Sequence, residues 1–364
     1  MLVPDSPRMK TLCICPIGIG NYIVAYPAFA LLRKHRPDID LHLLGLRNNI
    51  REWAAGDSLW SGVHVFDPTR MKGDVHEAIG IIRTLRHERF DASLSYFPSN
   101  KWQYNLLPVL AGIPKRYAFA YPLKGASSMA FLNTHSLAVN TALHDLWQNV
   151  ALTGHFLGAD LAGEKPVFPA LYGTVEEQWA NAYVKALGDS RFLLGMHPGS
   201  SADHGMDAKR WPPEHFARLG DLAAQQRGAR VLILGGPEEA SLKRQVVDSM
   251  RMPGAIADTP SLRHTAALIT RCNLCVCNDS GLMHMSACMG VPTVGIFGPT
   301  DEKRNGPVGA RALAIRKPMA GFPLWTAANV GRRAIPVGVD PMAPLRALTP
   351  EDAWSRIQAW LDEP

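Results

Sequence analysis

Along most of the chain, short runs of consecutive apolar residues alternate with longer stretches whose apolar positions recur at helical spacing. Strands buried on both faces and separated by helices are the pattern of α/β architecture with parallel sheets. Thr11 to Pro16 reads as a first strand, leading into the glycine loop Pro16-Ile17-Gly18-Ile19-Gly20. A helix follows from Asn21 to His35, and Pro37 breaks it. Leu41 to Leu44 and Asp91 to Tyr96 read as strands, with a helix around His76 to Arg86 between them.

The second half carries the pattern more cleanly. Phe192 to Met196 is a strand ending in His197-Pro198-Gly199-Ser200-Ser201, and a helix over Pro213 to Gln226 follows. Arg230 to Leu234 runs into Gly235-Gly236-Pro237, and Thr259-Pro260 opens a helix with a cap hydroxyl and a first-position proline. Strand Asn273 to Cys277, the turn Asn278-Asp279-Ser280-Gly281, a helix through Met289 and strand Pro292 to Phe297 complete the series. The strand ends here carry Gly, Ser, Asp or Pro, and open α/β sheets bind ligands at those ends. Residues 316 to 347 read as irregular, and Thr349-Pro350-Glu351-Asp352 caps a closing helix.

A length of 364 residues suits two domains, and the proline- and glycine-rich stretch Glu164 to Gly173 is the linker. The expected division is 1–174, an N-terminal α/β domain, and 175–345, a C-terminal one. Residues 346–364 are then a closing helix packed back toward the N-terminal domain. At 47% apolar and 19% charged, the composition excludes a disordered chain. Thirty-eight basic against 32 acidic residues, net +6, fit an anionic small ligand or an anionic surface. Nucleic acid is not an expected partner, because the only tight basic cluster, Arg33-Lys34-His35-Arg36, sits where a helix ends. With no signal-peptide pattern and no run of 18 apolar residues, the expectation is a cytoplasmic protein. Contact with the inner membrane, if any, would be peripheral.

Several motifs compete for a metal or cofactor. Cys272, Cys275 and Cys277 lack a fourth spaced ligand and fall on an apparent buried strand, so core packing is the expected role. With Cys13, Cys15 and Cys288 they form no disulfide framework. Asp38-x-Asp40 resembles a metal-binding acidic pair but stands at a strand start, where solvated acids are ordinary. Gly18-x-Gly20-x-x-Ile23 is a dinucleotide fingerprint without its third glycine. Trp102, Tyr104, Tyr117, Phe119 and Tyr121 have the faces to stack sugars, though core positions account for most such residues. The expectation is no metal and no cofactor.

The strongest constellation joins the His197 loop, Lys209-Arg210-Trp211-Pro212, Gly235-Gly236-Pro237-Glu238, and Asp279-Ser280-Gly281-Leu282-Met283-His284. The Asp279 to Gly281 turn opens a helix, whose amides and positive end suit a diphosphate. His284, four residues after Ser280, shares its helix face. Lys209, Ser200 and Ser201 add charge and hydroxyl donors able to neutralise a departing nucleoside diphosphate without a metal.

In these motifs, and in Gly290-Val-Pro-Thr-Val-Gly-Ile-Phe-Gly-Pro-Thr-Asp301, the sequence resembles glycosyltransferase family 9, the ADP-heptose:lipopolysaccharide heptosyltransferases. Weaker echoes are Tyr26-Pro27-Ala28, Leu31-Leu32-Arg33, and His144-Asp145 through Asn149. The resemblance implies a GT-B fold, two Rossmann-like domains facing across a cleft, which would make 1–174 the acceptor-side domain and 175–345 the nucleotide-sugar domain. It implies an inverting, metal-independent transferase moving a sugar, heptose from ADP-heptose, to a glycan or lipid-linked acceptor. Ser200, Ser201, Lys209, Glu238, Asp279, Ser280, Gly281 and His284 would hold the donor, with Lys209 and Asp279 also catalytic. Gly18 and Gly20 would line the reaction centre.

Two departures accompany the resemblance. The family's general base, an aspartate after the first glycine loop, is replaced by Asn21, and an amide accepts no proton at a useful pKa. His144, Asp145 and Asp91 are the substitutes by residue type. The segment 316–347 also lacks the cysteines many members carry there, which leaves room for a different acceptor or partner surface. The alternatives are a nucleotide-sugar-binding protein with lost catalysis and a GT-B-type sugar-nucleotide epimerase.

Overall fold

The computed structural model describes residues 8–15, 18–46, 49–66, 75–121, 125–188, 191–201, 203–330 and 335–363. Two compact units divide the chain: Met1–Pro169 with Ala327–Arg332, and Ala170–Thr326 with Arg333–Pro364. The boundary falls inside the expected linker, a little before residue 174.

The first unit runs β1 (Lys10–Cys15), α1 (Ile19–His35), β2 (Asp40–Gly45), α2 (Asn49–Ala54), β3 (Gly62–Val65) and α3 (Val75–Glu88). It continues with β4 (Ala92–Ser95), α4 (Trp102–Leu110), β5 (Lys115–Ala120), β6 (His135–Ala138) and α5 (Asp145–Leu157). Its strands form one parallel sheet in the order β3-β2-β1-β4-β5-β6. Helix α1 is apolar all round because it is buried almost all round, and Phe29 meets Tyr96 edge-on at 4.6 Å. It packs beside α5, where Thr153 Oγ1 donates to the Ala28 carbonyl at 3.2 Å.

The second unit runs α6 (Thr174–Ala186), β7 (Phe192–His197), α7 (Pro213–Arg227), β8 (Ala229–Ile233), α8 (Ala240–Ser249), β9 (Gly254–Ile256) and α9 (Leu262–Ile269). Then come β10 (Leu274–Asn278), α10 (Gly281–Cys288), β11 (Thr293–Phe297), α11 (Glu302–Asn305), β12 (Ala312–Arg316), α12 (Ala343–Ala347) and α13 (Pro350–Leu361). Its parallel sheet, β12-β11-β10-β7-β8-β9, repeats the order of the first when read from β9. In each unit the chain starts mid-sheet, builds outward one way, then returns and builds the other. The two adjacent strands with diverging connections, β7 and β10 here, open the crevice in which such sheets bind ligands.

Three details differ from the sequence reading. Helix α9 starts two residues later than Thr259-Pro260 implied: Ser261 is its N-cap, accepting from His264 N–H. Thr259 instead bonds Thr265 through its hydroxyl, at 2.6 Å. Segment 316–347 is largely irregular among its described residues, but it includes the short helix α12. The closing helix α13, expected to return toward the N-terminal domain, packs on α7 of the second unit. Trp354 and Ile357 are buried in that unit's core, and Trp354 Nε1 donates to Gln226 Oε1 at 2.9 Å. The apolar face of α13 finds its area there, together with the Arg218–Glu351 ion pair.

Burial of this indole predicts that Trp354→Ala destabilises the protein by about 3–5 kcal/mol. Urea unfolding followed by circular dichroism checks it, and a loss under 1 kcal/mol would mean α13 is not part of the core.

Candidate functional site

Strands β7 and β10 are in register, with Cys277 opposite His197, so their carboxyl ends deliver two loops to one place. Asn278 ends β10 fully buried and holds those loops together. Its Oδ1 accepts Trp211 N–H at 3.0 Å, and its Nδ2 donates to the Pro198 carbonyl at 2.6 Å. Trp211, fully buried, fixes the Lys209-Arg210 segment beneath the site, its Nε1 donating to the Leu348 carbonyl.

Four groups assemble around this crevice. Asp279 is buried and fully engaged: Lys209 Nζ donates to Oδ2 at 3.0 Å and Asn305 Nδ2 to Oδ1 at 2.6 Å. Burial pushes its carboxyl up, but Lys209 and then His284 prevail and hold it below the usual carboxylate range. Ser280 adopts the extended N-cap backbone of α10 without capping it, since its hydroxyl lies 2.9 Å from His197 Nδ1. The first-turn amides of α10 therefore have no side-chain acceptor at the cap. His197 Nε2 lies 3.0 Å from Glu239 Oε2, which also accepts Gly236 N–H at 3.1 Å. Arg210 donates to the Ser200 carbonyl at 2.8 Å and, more weakly, to its hydroxyl.

Most residues named from the sequence meet here, in altered roles. Lys209, Asp279, Ser280, Gly281 and His284 gather at the α10 N-terminus, with Lys209 already paired to Asp279. Ser200 is buried and donates to the Met206 carbonyl, bracing its own loop, while Ser201 is exposed. Glu238 is exposed, and its neighbour Glu239 takes the interior position. The sequence reading missed Glu239, Asn278 and Asn305. The cue available for Glu239 was its place three residues after Gly236, where a carboxylate reaches back to the backbone.

In the first unit, Pro16 and Ile17 of the glycine loop lie outside the described residues. Gly18 precedes α1, and Gly20 and Asn21 lie in its first turn, Asn21 half-buried. Asp91 is removed from consideration as base: it precedes β4, at the opposite edge of the sheet, and accepts Lys10 N–H at 2.7 Å. His144 caps α5, its Nδ1 accepting Leu146 N–H, and Asp145 beside it is buried. Thr153 meets Ala28 between helices that start at the same sheet edge, so eight residues back on each, Asp145 stands level with Gly20.

Several of the competing motif residues are engaged within the fold. Cys272 and Cys277 are buried with thiols pushed well up, Cys272 through Cys275 and burial, Cys277 chiefly by burial; neutral thiols are poor ligands. Asp38 is taken by Arg36 through two hydrogen bonds. Tyr104, Phe119 and Tyr121 are core residues, whereas Trp102 is exposed. One cluster the sequence reading did not name is His42, His64 and Glu88, whose ligand atoms lie within 4.8 Å of one another. The two imidazoles point nitrogen to nitrogen at 3.1 Å with rings 13° from parallel, and Lys10 holds Glu88 at 2.6 Å. One ring's N–H donates to the other's lone pair, so the facing nitrogens are spent on each other and not aimed at a common third point. A hollow of ≈ 570 Å³ lined by Arg191, Arg227 and Arg230 lies at the other edge of the second sheet, away from the crevice.

Two parallel α/β sheets of this order, with a cation and an open helix N-terminus at the switch point of the second, are the arrangement of the GT-B fold. The chain belongs to glycosyltransferase family 9 (heptosyltransferase), whose model matches residues 79–323. It is 26% identical over 330 residues to lipopolysaccharide heptosyltransferase 2 of Escherichia coli K12, covering 85% of this chain and 88% of that one. Lipooligosaccharide heptosyltransferase 2 of Haemophilus influenzae is 31% identical over 175 residues, 43% of this chain and 49% of its own. In fold it resembles E. coli ADP-heptose lps heptosyltransferase II, with a TM-score of 0.72 at 20% identity over 97% of this chain and 98% of the other. A family 9 glycosyl transferase from Veillonella parvula gives 0.78 at 18% identity, over 98% of both chains.

The pairing of Lys209 with Asp279 has a measurable consequence. Because the carboxyl's folded pKa is depressed, the stability it contributes is present above the ordinary value of about 3.9 and is lost as pH falls through the folded value. Lys209→Ala strands that buried charge and should cost about 3–5 kcal/mol near neutrality. The deficit should shrink toward acid, where protonation relieves it. Thermal unfolding of both proteins across pH checks the trend; a pH-independent deficit would leave Lys209 a packing role alone.

Proposed function

We propose that this chain is an inverting, metal-independent heptosyltransferase that takes heptose from ADP-heptose and delivers it to a lipopolysaccharide-core-type glycan. The observation that carries the reading is the N-terminus of α10, left without a side-chain cap and flanked by Lys209 and His284. Relatives that are lipopolysaccharide heptosyltransferases over most of the chain, and a similarly folded E. coli heptosyltransferase solved with ADP, support the donor and the acceptor class.

In this mechanism the acceptor hydroxyl oxygen attacks the anomeric carbon on the face opposite the diphosphate. The carbon–oxygen bond to phosphate breaks as the new bond forms, so the configuration inverts. Negative charge grows on the departing diphosphate, where Lys209 and the α10 amides meet it in a partly desolvated crevice. Asp279 sets the position of the Lys209 ammonium. Asp279 has both oxygens bonded, and Glu239 is tied to His197 and Gly236, so neither is a free ligand for a divalent ion.

The acceptor proton needs a base that Asn21 cannot supply. Asp145 is the carboxylate we assign: it sits at the ligand-binding edge of its sheet, where Asp91 does not, and His144 has its Nδ1 lone pair engaged. Acceptor binding near an anionic membrane surface accords with the net charge of +6. No helix among the described residues is long and apolar enough to cross a membrane.

The test is transfer from ADP-heptose to a heptose-deficient core acceptor, with magnesium and with a chelator. Equal rates are expected in both, and Asp145→Asn should lower kcat by at least roughly a hundredfold. If ADP binds while no acceptor is ever glycosylated, and Asn21→Asp restores nothing, the chain is instead a nucleotide-sugar-binding protein that has lost catalysis.

A further inference from the structure

His197 is buried and held at both ring nitrogens, by Ser280 on one side and Glu239 on the other. Burial would raise the Glu239 carboxyl, but His197, the Gly236 amide and Arg210 hold it below the ordinary range. An ionised carboxylate only accepts hydrogen bonds, so the imidazole Nε2 carries a proton. Two loops are shaped around this carboxylate. A Cβ on Gly199 would come within 1.7 Å of Glu239 Oε1, and one on Gly235, at φ +145°, within 2.6 Å of Oε2.

With Nε2 protonated, the contact between Nδ1 and Ser280 has two arrangements. If Nδ1 is bare, Ser280 gives its one proton to the ring and turns only lone pairs toward the α10 N-terminus. If Nδ1 is protonated, the ring donates to Ser280 Oγ, and the hydroxyl proton is free for an anion. A phosphate oxygen is repelled by the first arrangement and hydrogen-bonded by the second.

We propose that His197 and Glu239 form a proton-coupled positioning pair for Ser280. Binding of a diphosphate at the α10 N-terminus draws one proton from solvent onto His197 Nδ1, turning the Ser280 hydroxyl into a donor toward the phosphate. No covalent bond to carbon or phosphorus changes in this step, and the proton returns to solvent when the diphosphate leaves. The imidazolium so formed lies between the Glu239 carboxylate and the ligand's negative charge, both of which favour it. The inference rests on the donor-site reading given above.

The other charged and titratable groups around the pair have partners of their own. Arg210 braces the Ser200 loop, Lys243 bonds the Gly235 carbonyl and Asp258, and Lys209 holds Asp279, beside which His284 stands. The Cys277 thiol, next to His197 in the sheet, is pushed well up by burial and stays neutral. His197 is the group whose proton state decides what Ser280 presents.

Calorimetric titration of ADP into the full chain, in buffers of different ionisation enthalpy at one fixed pH of about 8, reads the proton directly. Heats that depend on the buffer, corresponding to uptake approaching one proton per ADP, are expected. Ser280→Ala and Glu239→Gln should lose that dependence, with ADP affinity falling about tenfold, while Ser280→Thr keeps both. ADP binding with buffer-independent heats in the unmodified chain, or uptake persisting in Ser280→Ala, overturns the proton-coupled pair and leaves the donor site standing. Failure of ADP to bind at all overturns the donor-site reading and the pair with it.

Discussion

Asn278 ends the central strand β10 with no exposed surface, and both atoms of its amide are committed to the backbone of other loops: Oδ1 to Trp211 N–H, Nδ2 to the Pro198 carbonyl. A buried amide of this kind is costly unless every bond is made, so it tolerates little movement in any of the three segments. Through it the ends of β7 and β10 and the Lys209-Arg210-Trp211 segment become one rigid body. Lys209 stands two residues from the Trp211 amide so held, and Asp279 directly follows Asn278. The ion pair at the crevice is placed by an uncharged side chain beneath it.

The same rigidity explains why the serine after Asp279 need not cap its helix. Ser280 has the backbone of an N-cap, and in an isolated helix its hydroxyl would turn to the first-turn amides. Here His197 takes the hydroxyl, and packing of α10 against β10 and β11 keeps the helix in place instead. A cap worth about 1 kcal/mol is forgone, and an anion-accepting helix end is left open. Local stability and ligand affinity compete for the same amides, and the fold settles the competition with a histidine 83 residues away in sequence.

Strand ends, helix starts and most residues of the crevice were legible because each is written locally: a run of apolar residues, then Gly, Ser or Asp, then helical spacing. What stayed hidden was either a matter of phase or of long range. Glu238 and Glu239 differ by one position in a short 3-10 turn, and that one step decides which carboxylate faces His197 and which faces water. Asn278 reads as one more polar residue after a strand, because its partners lie 67 and 80 residues away. The closing helix shows its apolar face in sequence but not the surface that receives it, and α7 offered the match.

The repeated strand order also constrains the missing base. Parallel sheets bring every helix N-terminus to one edge and every helix C-terminus to the other, so a residue's place in the chain relative to its strand decides its edge. Asp91 fails on that ground alone, though its chemistry is suitable. Asn21 has the right edge and the wrong chemistry. Asp145 follows β6 and opens α5, and the Thr153–Ala28 bond ties α5 alongside α1, so the two helices present their first turns together. On the proposed assignment, a base absent from the first turn of α1 is supplied from the first turn of its neighbour without any change to the sheet. Topology places the proposed carboxylate on that neighbour, where Asp145 is buried at the start of the helix.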